Sequence, residues 1–143
     1  MSNETVNINV ITPEGVVLDK PIAFAKLPGK IGEIGILFNH SATLATLKPG
    51  KIRIKDENNQ VEKFFVPGGI AHLVNNDLTV STPYLESAEN IDIDRAKEAR
   101  DRANNRLEND RNNEDFDLTR ANNALEKAEA RIEIYNLHHN INT

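Results

Sequence analysis

Residues 87–96 read SAENIDIDRA, and this stretch divides the chain into two kinds of sequence. Before it, from residue 1 to 83, seven lysines and one arginine balance eight acidic residues, and the apolar residues follow a β pattern. From residue 84 onward the chain is rich in alanine and arginine, and nine basic residues face fourteen acidic ones, so this part carries the whole net charge of −5. We therefore predict two domains, residues 1–86 and residues 87–143, with different architectures.

The first part alternates apolar and polar residues with a period of two. Val6, Ile8 and Val10 are separated by asparagines, and Ile52 and Ile54 are flanked by basic residues. This spacing is typical of half-buried β-strands. Turn-forming residues recur at short intervals, in residues 12–15, 28–29, 49–50, 56–60, 67–69 and 75–77. Many short strands joined by such turns predict an all-β sandwich or a flattened barrel.

The second part has helical spacing. Asp92 is a candidate N-cap of a first helix, because its short carboxylate can accept hydrogen bonds from the unpaired N–H groups of the first turn. One face of this helix carries a narrow apolar stripe formed by Ala96, Ala99, Ala103 and Leu107. Small residues in such a stripe allow close approach of a second element.

A polar stretch, residues 108–115, precedes a second helix. Asp117 can cap this helix, and Phe116 is placed to pack back on Ala121 as a hydrophobic staple. Two helices in succession predict an αα-hairpin. The seam of the second helix would be formed by Leu118, Ala121, Leu125, Ala128, Ile132 and Tyr135. Because alanine buries little area, at ~25 cal/mol per Å², we expect the closed hairpin to be marginally stable and able to open.

Composition excludes several functional classes. No run approaches the ~20 apolar residues that span a bilayer, and the first ten residues lack the features of a signal peptide, so we expect no direct membrane insertion and no export. The chain has no cysteine, which excludes disulfides and thiolate chemistry. The net charge of −5 argues against nucleic acid as a partner, and we expect no concentrated basic patch in the first part.

Neither hydrolytic nor metal chemistry is predicted. His40 and Ser41 form the only adjacent pair of histidine and hydroxyl residues, but no nucleophile elbow surrounds Ser41. His40, His72, His138 and His139 lack the i, i+4 spacing of metal ligands on a helix. We therefore expect no catalytic residues and no metal site.

One cluster near the start of the first helix could bind an anion. Arg95 and Arg102 lie two helical turns apart, about 10 Å along the axis, on one face. Asp92 precedes Arg95 by one turn, so its carboxylate could orient a guanidinium whose planar fork suits phosphate oxygens, and Glu86 lies shortly before it. The same spacing is that of a helix cap with an exposed ion pair, which spacing alone favours.

The sequence of residues 91–96, IDIDRA, resembles the I/L-D-x-x-R-A signature of the epsilon subunits of bacterial F-type ATP synthases. Residues 10–15 are similar to the opening strand and turn of that family, and residues 32–40 to its central G-x-x-G-I-L-P-x-H segment. Residues 49–50 and 68–80 continue the match, so the resemblance extends over essentially the whole chain. Several motifs in the right order are more specific than any one of them.

A few positions depart from the family pattern. Phe38 stands where proline is usual, and Ala42 and Thr43 replace a proline–leucine pair. Ile70 and His72 stand where phenylalanine and glutamate are common. We expect these departures to affect local loop shape and contact with the stalk partner. They remove no residue that would carry chemistry.

The resemblance implies a sandwich of about ten strands followed by a C-terminal α-helical hairpin, in a non-catalytic subunit of the central rotary stalk. The sandwich would link the gamma subunit to the ring of c subunits. The extended hairpin would reach the alpha and beta subunits and inhibit ATP hydrolysis. The subunit would be peripheral, at the cytoplasmic face of the bacterial cell membrane, and would serve ATP synthesis coupled to proton or sodium ion transport without a required cofactor.

The resemblance also implies a regulatory ATP site, because some bacterial members bind ATP on the folded hairpin. The matching positions here are Glu86, Asp92, Arg95, Ala96, Arg102, Lys127 and Arg131. Lys127 stands where the tight-binding pattern has arginine, so it offers charge without a bidentate fork and we expect weaker affinity. Lys127 and Arg131, joined by Arg120, would also suit contact with an acidic loop of the beta subunits in the extended state.

An alternative from another class is a free-standing β-sandwich that binds a small molecule, with the helices as a dimerisation arm. Such modules favour exposed tryptophans and tyrosines at their sites, whereas this chain has no tryptophan and two tyrosines.

Overall fold

The structure, a computed structural model, describes residues 4–110, 112–113 and 116–139. The chain divides into two compact units, Met1–Ser87 and Ala88–Thr143. The first contains ten strands: β1 Val6–Thr12, β2 Gly15–Ile22, β3 Phe24–Pro28, β4 Glu33–Ile36, β5 Thr43–Leu47, β6 Gly50–Lys55, β7 Val61–Val66, β8 Gly69–Val74, β9 Asp77–Ser81 and β10 Glu86–Ser87. The second contains a 3₁₀ turn Ala88–Asn90 and two helices, α1 Ile93–Asn109 and α2 Leu118–His139.

The first unit is a sandwich of two five-stranded sheets. The strand order is β2-β1-β9-β8-β5 in the first sheet and β10-β7-β6-β3-β4 in the second. Neighbouring strands in the described part of the chain are antiparallel except for β1 and β9, which run parallel from Asn7 opposite Asp77 to Ile11 opposite Ser81. The predicted sandwich of about ten strands is confirmed, and the flattened barrel is wrong.

The inner faces of the two sheets form one apolar core. Val6, Ile8 and Val10 are fully buried on β1, and Ile52 and Ile54 are buried on β6, as their alternation predicts. The other core residues are Ile22, Ala25, Leu27, Ile36, Leu47, Phe64, Val66, Ala71, Leu73, Leu78 and Val80. The core therefore consists almost entirely of large aliphatic and aromatic side chains.

The predicted turns lie between the strands as expected. Asn75 and Asn76 adopt positive φ angles of 51° and 65°, the conformation that a tight hairpin requires of both central residues, and they join β8 to β9. Gly69 has a φ of 144°, and a Cβ atom there would lie 2.2 Å from the carbonyl oxygen of Ser81. Only glycine fits this position, because the backbone of β9 occupies the space of a side chain.

Both predicted helix caps are confirmed. The Asp92 carboxylate accepts a hydrogen bond from the Arg95 N–H at 3.1 Å at the start of α1. The Asp117 carboxylate accepts one from the Arg120 N–H at 3.0 Å just before α2. The two helices pack against each other, so the predicted hairpin is confirmed.

The seam of the hairpin is formed largely by alanine. Ala96 and Ala103 are buried on α1, with Ala99 and Leu107 half-buried, as the stripe predicts. On α2 the buried alanines are Ala121 and Ala128, again as predicted. The side chains buried in the two helices are therefore small, apart from one isoleucine.

That isoleucine corrects the prediction for α2. Ile134 is 2% exposed although it was not placed in the seam, whereas Leu118, which was, is 44% exposed. Six residues separate Ile134 from Ala128, which places the two about 120° apart around the helix. The helix is thus buried on two sides, and a single seam pattern cannot represent both.

Candidate functional site

The seven positions predicted to bind ATP fall in both units. Glu86 lies on β10, opposite Phe65 of β7, and is half-buried within the sandwich unit. The other six lie in the helical unit, on α1 and its cap or on α2. Glu86 ends the predicted first domain, and in the structure it begins β10, an edge strand of the second sheet.

Asp92 is engaged by the main chain of α1. Its carboxylate accepts the Arg95 N–H, and its carbonyl oxygen accepts the Ala96 N–H at 3.0 Å. No ion pair between the Asp92 carboxylate and the Arg95 guanidinium is found among the described residues, so Asp92 does not orient that guanidinium. The capping interpretation is therefore the one that the structure supports.

The cations of the predicted site lie on both helices. Arg95 and Arg102 are exposed on α1, and their separation of seven residues places them about 10 Å apart along one side of the helix. Lys127 and Arg131 are half-buried on α2, one turn apart. Ala96 is buried at 3% exposure, so it can contribute only close packing to a ligand held nearby. The hairpin thus carries two pairs of cations, and the members of each pair lie on one side of their helix.

A cleft of about 270 Å³ lies where α1 ends and α2 begins. Phe116 and Ala121, the predicted staple pair, both line it. The remaining lining residues are Arg106, Asp110, Asn113, Asp117 and Arg120. None of the seven predicted ligand positions lines this cleft, and its charges are mixed in sign.

The histidine and serine pair lies in the loop between β4 and β5, just after the turn at residues 38–39. His40 Nδ1 lies 2.9 Å from the carbonyl oxygen of Ser41 and 3.4 Å from the Thr43 hydroxyl, which itself donates to the Ser41 carbonyl oxygen at 2.9 Å. In the described ranges, no group of three or more histidine or acidic side chains is arranged to hold a metal ion. None of the described helices is long and apolar enough to cross a membrane.

The loop that departs from the family pattern, residues 37–42, is tied to the β8–β9 turn. Asn39 adopts a positive φ of 64°, and its N–H donates to Asn76 Oδ1 at 2.7 Å. The Asn76 amide donates in return to Asn39 Oδ1 at 3.4 Å. These two hydrogen bonds hold the loop beside Phe38 in place without the usual proline.

The outer face of the first sheet is partly apolar. Leu44 on β5 lies opposite His72 on β8, and Ile70 lies two residues further along β8 on the same side. Leu44 is 74% exposed and Ile70 is 52% exposed. Ile11 and Val16, a pair on β1 and β2, extend this exposed apolar surface across the sheet. Exposed apolar side chains that are grouped in this way form a candidate docking surface.

The outer face of the second sheet is cationic, and the sequence prediction missed it. Lys63, Arg53 and Lys26 lie directly opposite one another on β7, β6 and β3. Lys51 and Lys55 flank Arg53 on the same side of β6. The alternation on β6 was visible in the sequence, but the placement of Lys63 and Lys26 beside it depends on strand register. The expectation that the first part has no basic patch is therefore wrong.

The charges on this face affect one another. Burial lowers the pKa of Lys63 below its ordinary value of 10.5, and the positive charges of Lys51 and Arg53 lower it further. Like charges that lie directly opposite on neighbouring strands repel each other. The face therefore favours the approach of negative charge.

Comparison with known proteins agrees with the two units. Residues 5–88 match the model of the ATP synthase delta/epsilon chain β-sandwich domain, and residues 89–136 match that of the long α-helix domain of the same chain. The ATP synthase epsilon chain of Desulfitobacterium hafniense is 40% identical over 128 residues, which cover 90% of this chain and 94% of that one. The epsilon chain of Bacillus velezensis is 36% identical over 131 residues, 92% of this chain and 97% of that one.

Solved structures show the same fold at lower identity. A chain of the Euglena gracilis mitochondrial ATP synthase, in a structure of OSCP, F1 and the c-ring, superposes with a TM-score of 0.79 at 20% identity, covering 91% of this chain and 81% of that chain. A chain from the central stalk and c-ring of the Tetrahymena thermophila mitochondrial enzyme gives a TM-score of 0.57 at 14% identity, covering 96% and 98%. Since the family models cover both units and the sequence relatives are aligned over nearly their whole length, the chain belongs to the epsilon-subunit family of F-type ATP synthases.

Proposed function

We propose that this chain is the non-catalytic subunit that links the gamma subunit to the c ring in the central stalk, and that its helical hairpin regulates ATP hydrolysis. The observation that carries the regulatory part is the composition of the hairpin seam, in which Ala96, Ala103, Ala121 and Ala128 are the buried residues. A seam of alanines buries little apolar area and resists opening only weakly. The hairpin can therefore exchange between a closed and an extended form.

The sandwich performs the coupling role. Its first sheet presents the exposed apolar surface that includes Leu44 and Ile70, which suits a permanent contact with gamma. Ile31, in the loop between β3 and β4, is fully exposed and offers a further apolar contact for the ring. The ring as a partner is supported by the structural relatives, which come from assemblies that contain the c-ring, and a place beside the stalk is supported by the relative from a central stalk.

The sandwich contact is tested by co-purification with gamma. Leu44→Asp together with Ile70→Asp places two carboxylates in the apolar surface, so we expect recovery of the complex to fall sharply. The matched control is Val61→Asp together with Asn58→Asp, which adds the same two negative charges at exposed positions of β7 and of the turn before it, and leaves the first sheet intact. Equal recovery of both variants with gamma would contradict the assignment of this surface.

The inhibitory role is tested by removing the hairpin. A variant that ends at Glu89 retains the whole sandwich unit with its own core, so we expect it to assemble with gamma. ATP hydrolysis by the assembled enzyme should then rise, because the segment that reaches the alpha and beta subunits is gone. Assembly with unchanged hydrolysis would show that the hairpin does not inhibit.

The hairpin also binds ATP as a regulatory ligand in this proposal. The support is the placement of two cation pairs, Arg95 with Arg102 on α1 and Lys127 with Arg131 on α2. A ligand that binds only the closed form shifts the equilibrium toward it, by about 2.7 kcal/mol when its concentration is 100 times the dissociation constant. Scarce ATP would then release the hairpin for inhibition.

Calorimetry with ATP tests the ligand site. Arg95→Ala should remove most of the binding heat, whereas Lys97→Ala, an exposed cation on the same helix, should retain it. The cap is unaffected in the first variant, because Asp92 accepts from the backbone N–H of residue 95 and alanine has the same group. Lys127→Arg should tighten binding, since it adds a bidentate donor. Equal binding heats for the Arg95 and Lys97 variants would show that the Arg95 side chain does not take part in ATP binding.

The location follows from the assembly. As a peripheral part of the rotor, the subunit would lie at the cytoplasmic face of the bacterial membrane and contribute to ATP synthesis driven by proton or sodium ion transport. It would need no cofactor of its own. Failure to hydrolyse ATP in isolation is the result that this assignment requires.

A further inference from the structure

A group of five cations shares the outer face of the second sheet. We call it the cationic face: Lys26 on β3, Lys51, Arg53 and Lys55 on β6, and Lys63 on β7. All five side chains are half-buried. Within the described residues, Lys26 alone of the five forms an ion pair, with Glu33 at 3.4 Å. The other four cations therefore lie beside one another without an ion pair in the described part of the chain.

Folding gains little from this arrangement. The Lys63–Arg53–Lys26 row places like charges in directly opposite cross-strand positions, which destabilises a sheet. The long side chains do cover the sheet with their methylene groups, but uncharged polar residues would do so without repulsion. A cluster that costs stability and lowers the pKa of its own Lys63 is suited to attract an external anion.

The spacing of the cations fits an extended polypeptide. Lys51, Arg53 and Lys55 occupy alternate positions of β6, so they repeat about every 6.7 Å along the strand. An extended segment with acidic residues at alternate positions has the same repeat and can place one carboxylate above each cation. Lys63 and Lys26 lie about 4.8 Å to either side of Arg53 and broaden the track.

The charges around the cationic face select a short partner. Apart from the five cations, residues 1–83 hold three lysines against eight acidic residues, which oppose a long polyanion such as nucleic acid, whose phosphates continue beyond the cationic face. A short acidic segment feels mainly the nearby cations, because charges more than about 8 Å away are screened at physiological ionic strength. We infer that the cationic face is a docking site for a short, extended, acidic segment of a partner protein. This site lies on the opposite sheet from the proposed gamma surface and rests on neither the hairpin nor ATP.

Fluorescence anisotropy with the full chain tests the inference. The probe is a short labelled peptide of alternating glutamate and threonine, and a peptide of alternating lysine and threonine serves as the charge control. We expect the acidic peptide alone to bind, and more weakly as salt is added. In Arg53→Gln with Lys63→Gln, affinity should fall about tenfold, since two charge contacts are lost. The double variant Lys30→Gln with Lys48→Gln, which removes two exposed cations in turns, should bind as the parent does.

A second readout separates docking from a structural role. In the full chain, addition of the acidic peptide should raise the pKa of Lys63, measured by NMR, because a carboxylate now faces the ammonium group. The Arg53 and Lys63 variant should melt no lower than the parent, so loss of binding would not reflect unfolding. Equal affinity of the two double variants, no binding of the peptide, or binding of an oligonucleotide or anionic vesicles in its place would overturn the proposal.

Discussion

The sandwich and the hairpin bury different kinds of side chain. The sandwich core is filled by valine, isoleucine, leucine and phenylalanine from both sheets, whereas the buried residues of α1 and α2 are four alanines and Ile134. A fully buried large side chain contributes roughly 1.5–3 kcal/mol, and an alanine methyl about 0.8 kcal/mol. Side-chain size therefore makes the sandwich the firmly held unit of this chain and the hairpin the weakly held one.

The largest expected effect is in the sandwich core. Ile8→Ala removes a fully buried side chain from β1, which pairs with both β2 and β9, and should cost about 3–4 kcal/mol. The melting temperature of the sandwich should fall by more than about 10 °C. Tyrosine fluorescence of Tyr84 in a Tyr135→Phe background reports on this unit alone. Val16→Ala, at an exposed position of β2, should change stability by less than about 0.5 kcal/mol.

The second-largest expected effect is opening of the hairpin without unfolding of the sandwich. Ala103→Asp places a carboxylate at a seam position that is 2% exposed, at a cost of at least about 2 kcal/mol. Because the alanine seam resists opening only weakly, the helical circular dichroism signal should decrease, while the melting temperature reported by Tyr84 stays unchanged. Asn104→Asp adds the same charge at the exposed neighbouring position and should leave both signals unchanged. Loss of both transitions together would show that the sandwich and the hairpin unfold as one unit and would contradict the expected difference.

A smaller effect concerns the start of α1. Asp92→Ala removes the acceptor of the Arg95 N–H and should destabilise the hairpin by about 1 kcal/mol. Asp92→Asn keeps a side-chain oxygen in the same place and should retain most of the stability. Thermal melts followed by circular dichroism distinguish the two variants. Identical melts for alanine and asparagine would mean that the cap contributes nothing to the hairpin.

The smallest expected effect is a gain of stability in the sandwich. Lys63→Gln removes one charge from the row with Arg53 and Lys26, and should stabilise the sandwich by about 0.5 kcal/mol at neutral pH. The pKa of Lys63 is lowered in the folded state, so its charged form is disfavoured there at neutral pH, and this penalty fades as the pH rises through the lowered value toward 10.5. Urea unfolding at neutral pH and near pH 10.5 should therefore show a difference between variant and parent that shrinks at high pH. A difference that grows with pH would contradict the proposed repulsion.

Local features of the structure could be predicted from the sequence. The alternation in β1 and β6, the turns around residues 12–15 and 75–77, and the caps Asp92 and Asp117 each depend on neighbours within a few residues. The two-sheet arrangement followed from the number of strands and the family resemblance. These predictions succeed because short-range geometry decides which backbone N–H and C=O groups find hydrogen-bond partners.

Features that depend on distant residues could not be predicted. The row formed by Lys63, Arg53 and Lys26 exists only because three strands adopt one register, and a shift by one residue would turn each side chain to the other face. Glu86 pairs with β7 although only two residues form its strand. Ile134 is buried on a side of α2 that the seam spacing does not include. The roles of the seven proposed ligand positions remain predictions for the calorimetric test.

The parallel pairing of β1 with β9 has a consequence for synthesis of the protein. Asn7 and Asp77 are neighbours in the first sheet although 70 residues separate them, and β1 lies between β2 and β9. The ribosome must therefore release almost the entire sandwich before its first strand gains its second neighbour, and closing so long a loop slows folding. During translation the first strand waits for the ninth of ten strands, and α1 and α2 emerge only when the first sheet can already close.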